Sequence, residues 1–168
     1  GKRQPGSSFK PFVYFTALQK GMAMNKMIKN TPLTIGTWSP KNYDRSFSAD
    51  ITMAEALEKS KNIPTIRILQ NVGIDPVVKN CRAAGFKSAI PADYTIGLGS
   101  MSITPIEITT AYSSFANGGY RINPIFITKI EDKDGKVIFE AEPKKEKIFE
   151  PEDVALIVTM MKNAAIYG

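Results

Sequence analysis

The sequence predicts an α+β chain, mainly helical with one β-hairpin, and three observations carry that reading. Apolar residues recur at helical spacing behind good N-terminal caps between residues 9 and 116, two β-rich runs flank Asp134-Gly135, and a last helical period follows Pro151. With 168 residues, 43% of them hydrophobic and 23% charged, the chain has the size and composition of a globular domain rather than of a disordered segment.

The elements follow in order. Gln4-Pro5-Gly6 reads as a turn, with Ser7 or Ser8 as N-cap of a helix whose Phe9, Phe12, Val13, Ala17 and Leu18 share a face and which Gly21 ends. Pro11 is tolerated there because first-turn amides have no intrahelical partner. Residues 22–50 lack periodicity and read as an extended loop. Thr52 and Glu55 form a capping box for a short helix through Lys59, with Ser60-Lys61-Asn62 at its end and a break at Pro64. A second helix is expected from about Thr65 to Val72, stopped by Gly73, and a third from Asp75-Pro76 to Gly85. Thr104-Pro105-Ile106-Glu107 is another capping box, opening a helix that Asn117-Gly118-Gly119 closes. The hairpin is expected at about residues 124–141, turning at Asp134-Gly135, and a charged stretch, Pro143 to Lys147, follows it. Pro151 opens the final helix, where Val154, Ile157, Val158 and Met161 share a face.

The net charge of +6 is unevenly spread. Lys2, Arg3, Lys10, Lys20, Lys26, Lys29 and Lys41 all precede the first acid, Asp44. Such a stretch is read either as a solvated basic face or as a site for an anionic substrate. It gives little support to nucleic-acid binding, since the bases are scattered among apolar helical residues without a binding motif. No apolar run approaches the roughly 20 residues of a membrane-spanning helix.

The absence of histidine, beside a single cysteine, Cys81, removes whole classes of chemistry. Serine–histidine–aspartate triads, cysteine–histidine dyads, histidine-ligated metals and cysteine-rich zinc sites are excluded, and no cofactor or metal is expected. Acid–base work falls to lysine, a carboxylate, tyrosine or water. Ser7 and Lys10, three apart on a helix, share a face. A lysine whose pKa is lowered by burial can take the proton of a serine hydroxyl and make it a nucleophile. A helix N-terminus adds donors for a developing oxyanion. Taken alone, the same pair is also an ordinary cap and a solvated lysine. Ser60 and Asn62, at a helix end, offer a proton relay and an amide that both donates and accepts, or simply a polar turn.

With their flanks these segments carry a resemblance. Arg3-Gln4-Pro5-Gly6-Ser7-Ser8-Phe9-Lys10-Pro11-Phe12 resembles the active-site serine segment of the class A, bifunctional penicillin-binding proteins. Trp38-Ser39-Pro40-Lys41-Asn42-Tyr43-Asp44 is similar to the loop that follows it in those proteins. Ile51-Thr52-Met53 through Ser60-Lys61-Asn62 resembles their second motif. Ile103-Thr104-Pro105-Ile106-Glu107, with Ala111-Tyr112 and Phe115 to Gly119, resembles a further signature, and all four blocks stand in family order.

The resemblance implies a D,D-transpeptidase domain of the β-lactamase/transpeptidase-like (penicillin-recognising serine acyltransferase) fold. It implies Ser7 as nucleophile, Lys10 as general base, Ser60 as proton relay and Asn62 as the substrate-binding amide. The implied partners are the D-Ala-D-Ala end of a peptidoglycan stem peptide and β-lactams, on the extracytoplasmic side of a membrane-anchored parent. The family's third motif, Lys-Thr-Gly or Lys-Ser-Gly, does not occur in this sequence. The chain is therefore expected to be a partial transpeptidase domain, without the parent's glycosyltransferase domain and anchor. Its activity is expected to be impaired in isolation, and its truncated face to self-associate. A β-lactamase or β-lactam sensor of the same fold shares the first two motifs, and a non-catalytic basic module binding peptidoglycan or another polyanion is the reading from a different class.

Overall fold

A computed structural model of the protein describes residues 1–44, 47 and 49–168. Six helices dominate it: α1 (Lys10–Gln19), α2 (Met53–Glu58), α3 (Asn62–Val72), α4 (Ile74–Ala84), α5 (Pro105–Ala116) and α6 (Pro151–Tyr167). The β-structure is three two-stranded antiparallel ladders. β1 (Met27–Ile28) pairs with β2 (Ile51–Thr52), β3 (Tyr120–Ile122) with β6 (Lys145–Lys147), and β4 (Lys129–Glu131) with β5 (Val137–Glu140).

The core is built around α1, which is buried along its length from Lys10 to Leu18 and packs on α3, α4 and α6. The Phe12 ring sits among Phe9, Phe86, Tyr112 and Phe115 at centroid distances of 5.3–5.7 Å, and Phe15 meets Phe149 at 4.5 Å. Each such ring taken out of water contributes about 1.5–3 kcal/mol, and offset or edge-on pairing adds to it. A helix apolar all round belongs in the middle of a fold, which is where the aromatic run from residue 9 to residue 15 puts it. Lys20, two residues beyond the last buried residue of α1, donates to the Val72 carbonyl at 2.6 Å and closes the end of α3.

Several local expectations are corrected. Neither Ser7 nor Ser8 is an N-cap: Gly6–Phe9 forms a 3-10 turn leading straight into α1, and the Ser8 hydroxyl donates to the Pro5 carbonyl at 2.7 Å. At α2, Thr52 accepts from the Glu55 amide, but the Glu55 carboxylate pairs with Lys59 instead of returning to the cap, so only half a capping box forms. The reciprocal box at Thr104 and Glu107 is complete. Pro64 does not break the chain. It is the third residue of α3, where its missing N–H would have had no partner. The helix before Gly85 starts at Ile74 with Gly73 as its cap, and the Asp75 side chain makes no capping bond.

The expected hairpin is present, but its ladder is confined to Lys129–Glu131 and Val137–Glu140, and residues 124–128 lie outside it. The β3–β6 ladder was not expected. The Lys145-Glu146-Lys147 strand has no apolar alternation, and its partner lies 25 residues upstream, where Arg121 faces Glu146 and forms an ion pair with it. The hairpin and the segment leading into it carry exposed apolar side chains, with Ile138 66% and Phe126 84% accessible.

Candidate active site

Ser7 lies in the 3-10 turn, and that turn is pinned from below. Arg3 and Ile103 exchange both backbone hydrogen bonds, at 2.8 and 3.0 Å, and the Gly6 amide donates to the Gly99 carbonyl at 3.3 Å. Gly6 has a φ of 56° and Gly99 one of 70°, and a Cβ on Gly99 would fall 2.1 Å from the Gly6 carbonyl oxygen. Two glycines are thus needed back to back for the turn to seat. Tyr112 of α5 holds the other side, its hydroxyl donating to the Ser8 carbonyl at 2.6 Å. Burial pushes the Tyr112 phenol up to about 12, so it remains a donor throughout the physiological range. Ser7 itself is exposed at the mouth of an open cleft of about 360 Å³, lined also by Pro11, Leu57, Ser60 and Tyr112.

One turn further on, Lys10 is almost wholly buried, and its ammonium faces the end of α2. It donates to the Ser60 carbonyl at 2.5 Å, the Ser60 hydroxyl at 3.0 Å and Asn62 Oδ1 at 2.8 Å. Burial disfavours its charge and lowers its pKa from the ordinary 10.5 to about 8. Its three protons are directed to the second motif, not to Ser7. Ser7 joins the group by lining the same cleft as Ser60.

Ser60 stands where it does because α2 ends in a Schellman turn. The Lys61 amide donates to Ala56 and the Ser60 amide to Leu57, at 2.9 and 3.0 Å. That turn needs a left-handed residue, usually glycine. Here it is Ser60, at φ 50°, the one non-glycine with positive φ among the described residues. Such a conformation costs about 1–3 kcal/mol, and residues holding it collect at functional sites. The turn aims both the carbonyl and the hydroxyl of Ser60 at Lys10.

Asn62 opens α3, and its side chain bridges two segments. Oδ1 accepts from Lys10, and Nδ2 donates to the Lys41 carbonyl at 2.8 Å, which fixes the orientation of the amide and leaves one N–H free in direction. Of the four residues singled out from sequence, Lys10 is therefore hydrogen-bonded to Ser60 and Asn62, and Ser7 and Ser60 line one cleft. The sequence reading missed Asn42, Tyr112 and the Gly6–Gly99 contact. Tyr112 and Asn42 stood inside quoted motif blocks without a role, and Gly97-Leu98-Gly99 was a signal that went unused. Of the bases in the acid-free first quarter, Lys10 enters the hydrogen bonds of the site with its ammonium and Lys41 with its backbone carbonyl.

Among the described residues no group of three or more His, Cys, Asp or Glu side chains is placed to hold a metal, and no helix is long and apolar enough to cross a membrane. The groups that remain can do one thing well: a buried lysine near neutrality, hydrogen-bonded to a serine, beside a second, exposed serine suits acyl transfer through a serine ester.

The whole chain, residues 1–168, matches the family described as the penicillin binding protein transpeptidase domain. It is 40% identical over 151 residues to penicillin-binding protein 1A of Pseudomonas aeruginosa, covering 86% of this chain and 18% of that protein. To penicillin-binding protein 1A of Neisseria lactamica it is 43% identical over 149 residues, covering 84% and 19%. The chain thus spans about a fifth of the length of these curated relatives. It superposes on the crystal structure of penicillin-binding protein 1A from Haemophilus influenzae with a TM-score of 0.92 at 30% identity, over 97% of this chain and 30% of that one. The imipenem acyl-enzyme complex of penicillin-binding protein A from M. tuberculosis gives 0.90 at 20% identity, over 97% and 44%, a likeness of fold.

Proposed function

Because the chain belongs to the penicillin binding protein transpeptidase family, we propose that it carries the acyl-serine centre of a peptidoglycan D,D-transpeptidase within a longer protein. The observation that carries this reading is the buried Lys10, lowered to about 8 and tied to Ser60 beside the Ser7 cleft. Ser7 Oγ attacks the carbonyl carbon of the penultimate D-alanine of a stem peptide, and its proton passes to neutral Lys10. The Ser7 backbone amide supplies one donor to the oxyanion. As the tetrahedral adduct collapses, the carbon–nitrogen bond breaks, and Ser60 passes the proton from Lys10 to the departing D-alanine nitrogen. Asn62 directs its free N–H at the peptide backbone of the substrate. The Ser7 ester is then resolved by an amine of a neighbouring stem peptide, giving a cross-link, or by water. A β-lactam opens on the same hydroxyl and remains as the ester.

The same reading places the chain on the outer face of the cytoplasmic membrane, in a protein anchored and extended by segments other than these. It also makes the exposed apolar side chains of the hairpin and of the segment before it, Ile138 and Phe126 among them, a contact surface through which isolated chains self-associate. Sedimentation across a concentration series tests that point, and a monomer throughout would reject it.

A fluorescent penicillin tests the chemistry. The longer protein should be labelled, and Ser7→Ala should abolish the label. A label that survives the substitution removes Ser7 as nucleophile, and rapid turnover of the label would point to a β-lactamase of the same fold.

A further inference from the structure

We infer that Asn42 is a positioning residue for the second motif, acting as a detached N-cap of α3; the inference rests on the acyl-serine reading above. Helix α3 has no cap of its own, since Lys61 at the N-cap position makes no side-chain capping hydrogen bond. A helix start inside a fold leaves amides that need an acceptor. The Asn42 Oδ1 supplies it from twenty residues away, accepting from the Asn62 amide at 3.0 Å and the Ile63 amide at 3.1 Å. Its Nδ2 donates to Asn30 Oδ1 at 2.8 Å, which settles which end of the amide faces the helix. Asn30 and Asn42 are both buried, at 0% and 2% accessibility, so the pair is held away from competing water.

The neighbours of Asn42 grip the same motif. The Lys41 carbonyl accepts from Asn62 Nδ2 at 2.8 Å, and the Asp44 carboxylate pairs with Lys61 at 2.6 Å. Lys41, Asn42 and Asp44 therefore bind the Lys61-Asn62-Ile63 segment through main chain, amide and charge together. The consequence reaches Lys10. Asn62 Oδ1 can lie 2.8 Å from Lys10 Nζ only while the first turn of α3 stays in place. The three ammonium protons of Lys10 go to Ser60 and Asn62, so Asn42 bears on Lys10 through Asn62.

The test is the rate of acylation by a fluorescent penicillin, split into non-covalent affinity and the covalent step, in the full-length protein carrying this chain. Asn42→Ala should slow the covalent step about 10–100-fold and change affinity little, since small displacements of a catalytic group cost rates of that order. Asn42→Asp keeps an acceptor for both amides, so its rate should return to within a few-fold of the unsubstituted protein. Equal rates in all three proteins would overturn the inference. So would an equal loss in Asn42→Ala and Asn42→Asp, which would mark general packing rather than capping.

Amide hydrogen exchange at Asn62 and Ile63 gives a readout independent of activity. Both amides should be protected in the unsubstituted protein and in Asn42→Asp, and exposed in Asn42→Ala. If the unsubstituted protein is not acylated, the acyl-serine reading fails and the exchange pattern alone decides whether Asn42 caps α3. If Asn42→Ala does not fold, Asn42→Asp decides: protected amides with a near-normal rate support the cap, and lost protection or a tenfold slower rate overturns it.

Discussion

Ser60 takes two of the three ammonium protons of Lys10, one on its carbonyl at 2.5 Å and one on its hydroxyl at 3.0 Å. This is possible because Ser60 is held left-handed at the end of α2, which turns both oxygens to one side. When Lys10 loses a proton, two N–H groups remain for three acceptors, and the lone pair that appears can accept from a hydroxyl.

The pH dependence of acylation follows from that exchange. Lys10 is lowered to about 8 by burial, so the neutral base becomes the majority form above that pH. The acylation rate should rise with pH, reach half its plateau near pH 8, and lose this limb in Lys10→Arg. The sign for stability runs the same way. The unfolded lysine, near 10.5, holds its proton more tightly, so this group opposes the fold below about pH 8 and that penalty fades as pH rises to 10.5. Stopped-flow acylation between pH 6 and 9.5 measures the kinetic limb.

Gly99→Ala should destabilise the protein by roughly 2–4 kcal/mol, the range expected when a side chain is forced into backbone at a left-handed position. The added Cβ falls 2.1 Å from the Gly6 carbonyl, so the turn carrying Ser7 has to move. Gly135→Ala is the control, because nothing lies within 4 Å of its Cβ position, although it shares the positive φ, here 83°. Chemical denaturation should separate the two clearly, and acylation should fall only in Gly99→Ala.

Glu107 gives the fold an acid limit. Burial raises its pKa, but hydrogen bonds from the Thr104 amide and hydroxyl and the Ser88 and Lys87 amides outweigh it and bring the carboxyl from 4.5 to about 2. A carboxylate with a depressed folded value stabilises fully above its unfolded pKa, and that contribution is lost between about pH 4.5 and 2. The effect is on the order of 3 kcal/mol. Glu107→Gln should lower the thermal midpoint at pH 7 and flatten its fall between pH 4.5 and 2; an unchanged acid profile would reject this role.

The parts that could be read from sequence are those whose signals are local. The Thr104–Glu107 box, the Asp134-Gly135 turn and the aromatic face of α1 each lie within a dozen residues and were placed correctly. Ser7 with Lys10, and Ser60 with Asn62, stand out in the sequence because each pair is local, but the ammonium of Lys10 is directed to the second pair, across fifty residues that no local signal spans. Asn42 was opaque because a detached cap leaves no trace at the helix it serves. Pro64 misled because a proline within a helical stretch signals a break, and only knowing that α3 starts at Asn62 moves it into the tolerated first turn. The β3–β6 ladder was hidden because charged Lys145-Glu146-Lys147 pairs through its backbone alone.

The most direct test of the acyl-serine centre is mass spectrometry of the longer protein after brief exposure to penicillin G, with the adduct mapped by digestion. One added β-lactam mass is expected, confined to the peptide containing Ser7 and lost in Ser7→Ala. An adduct on any other residue, or no adduct in protein shown to be folded, would contradict it.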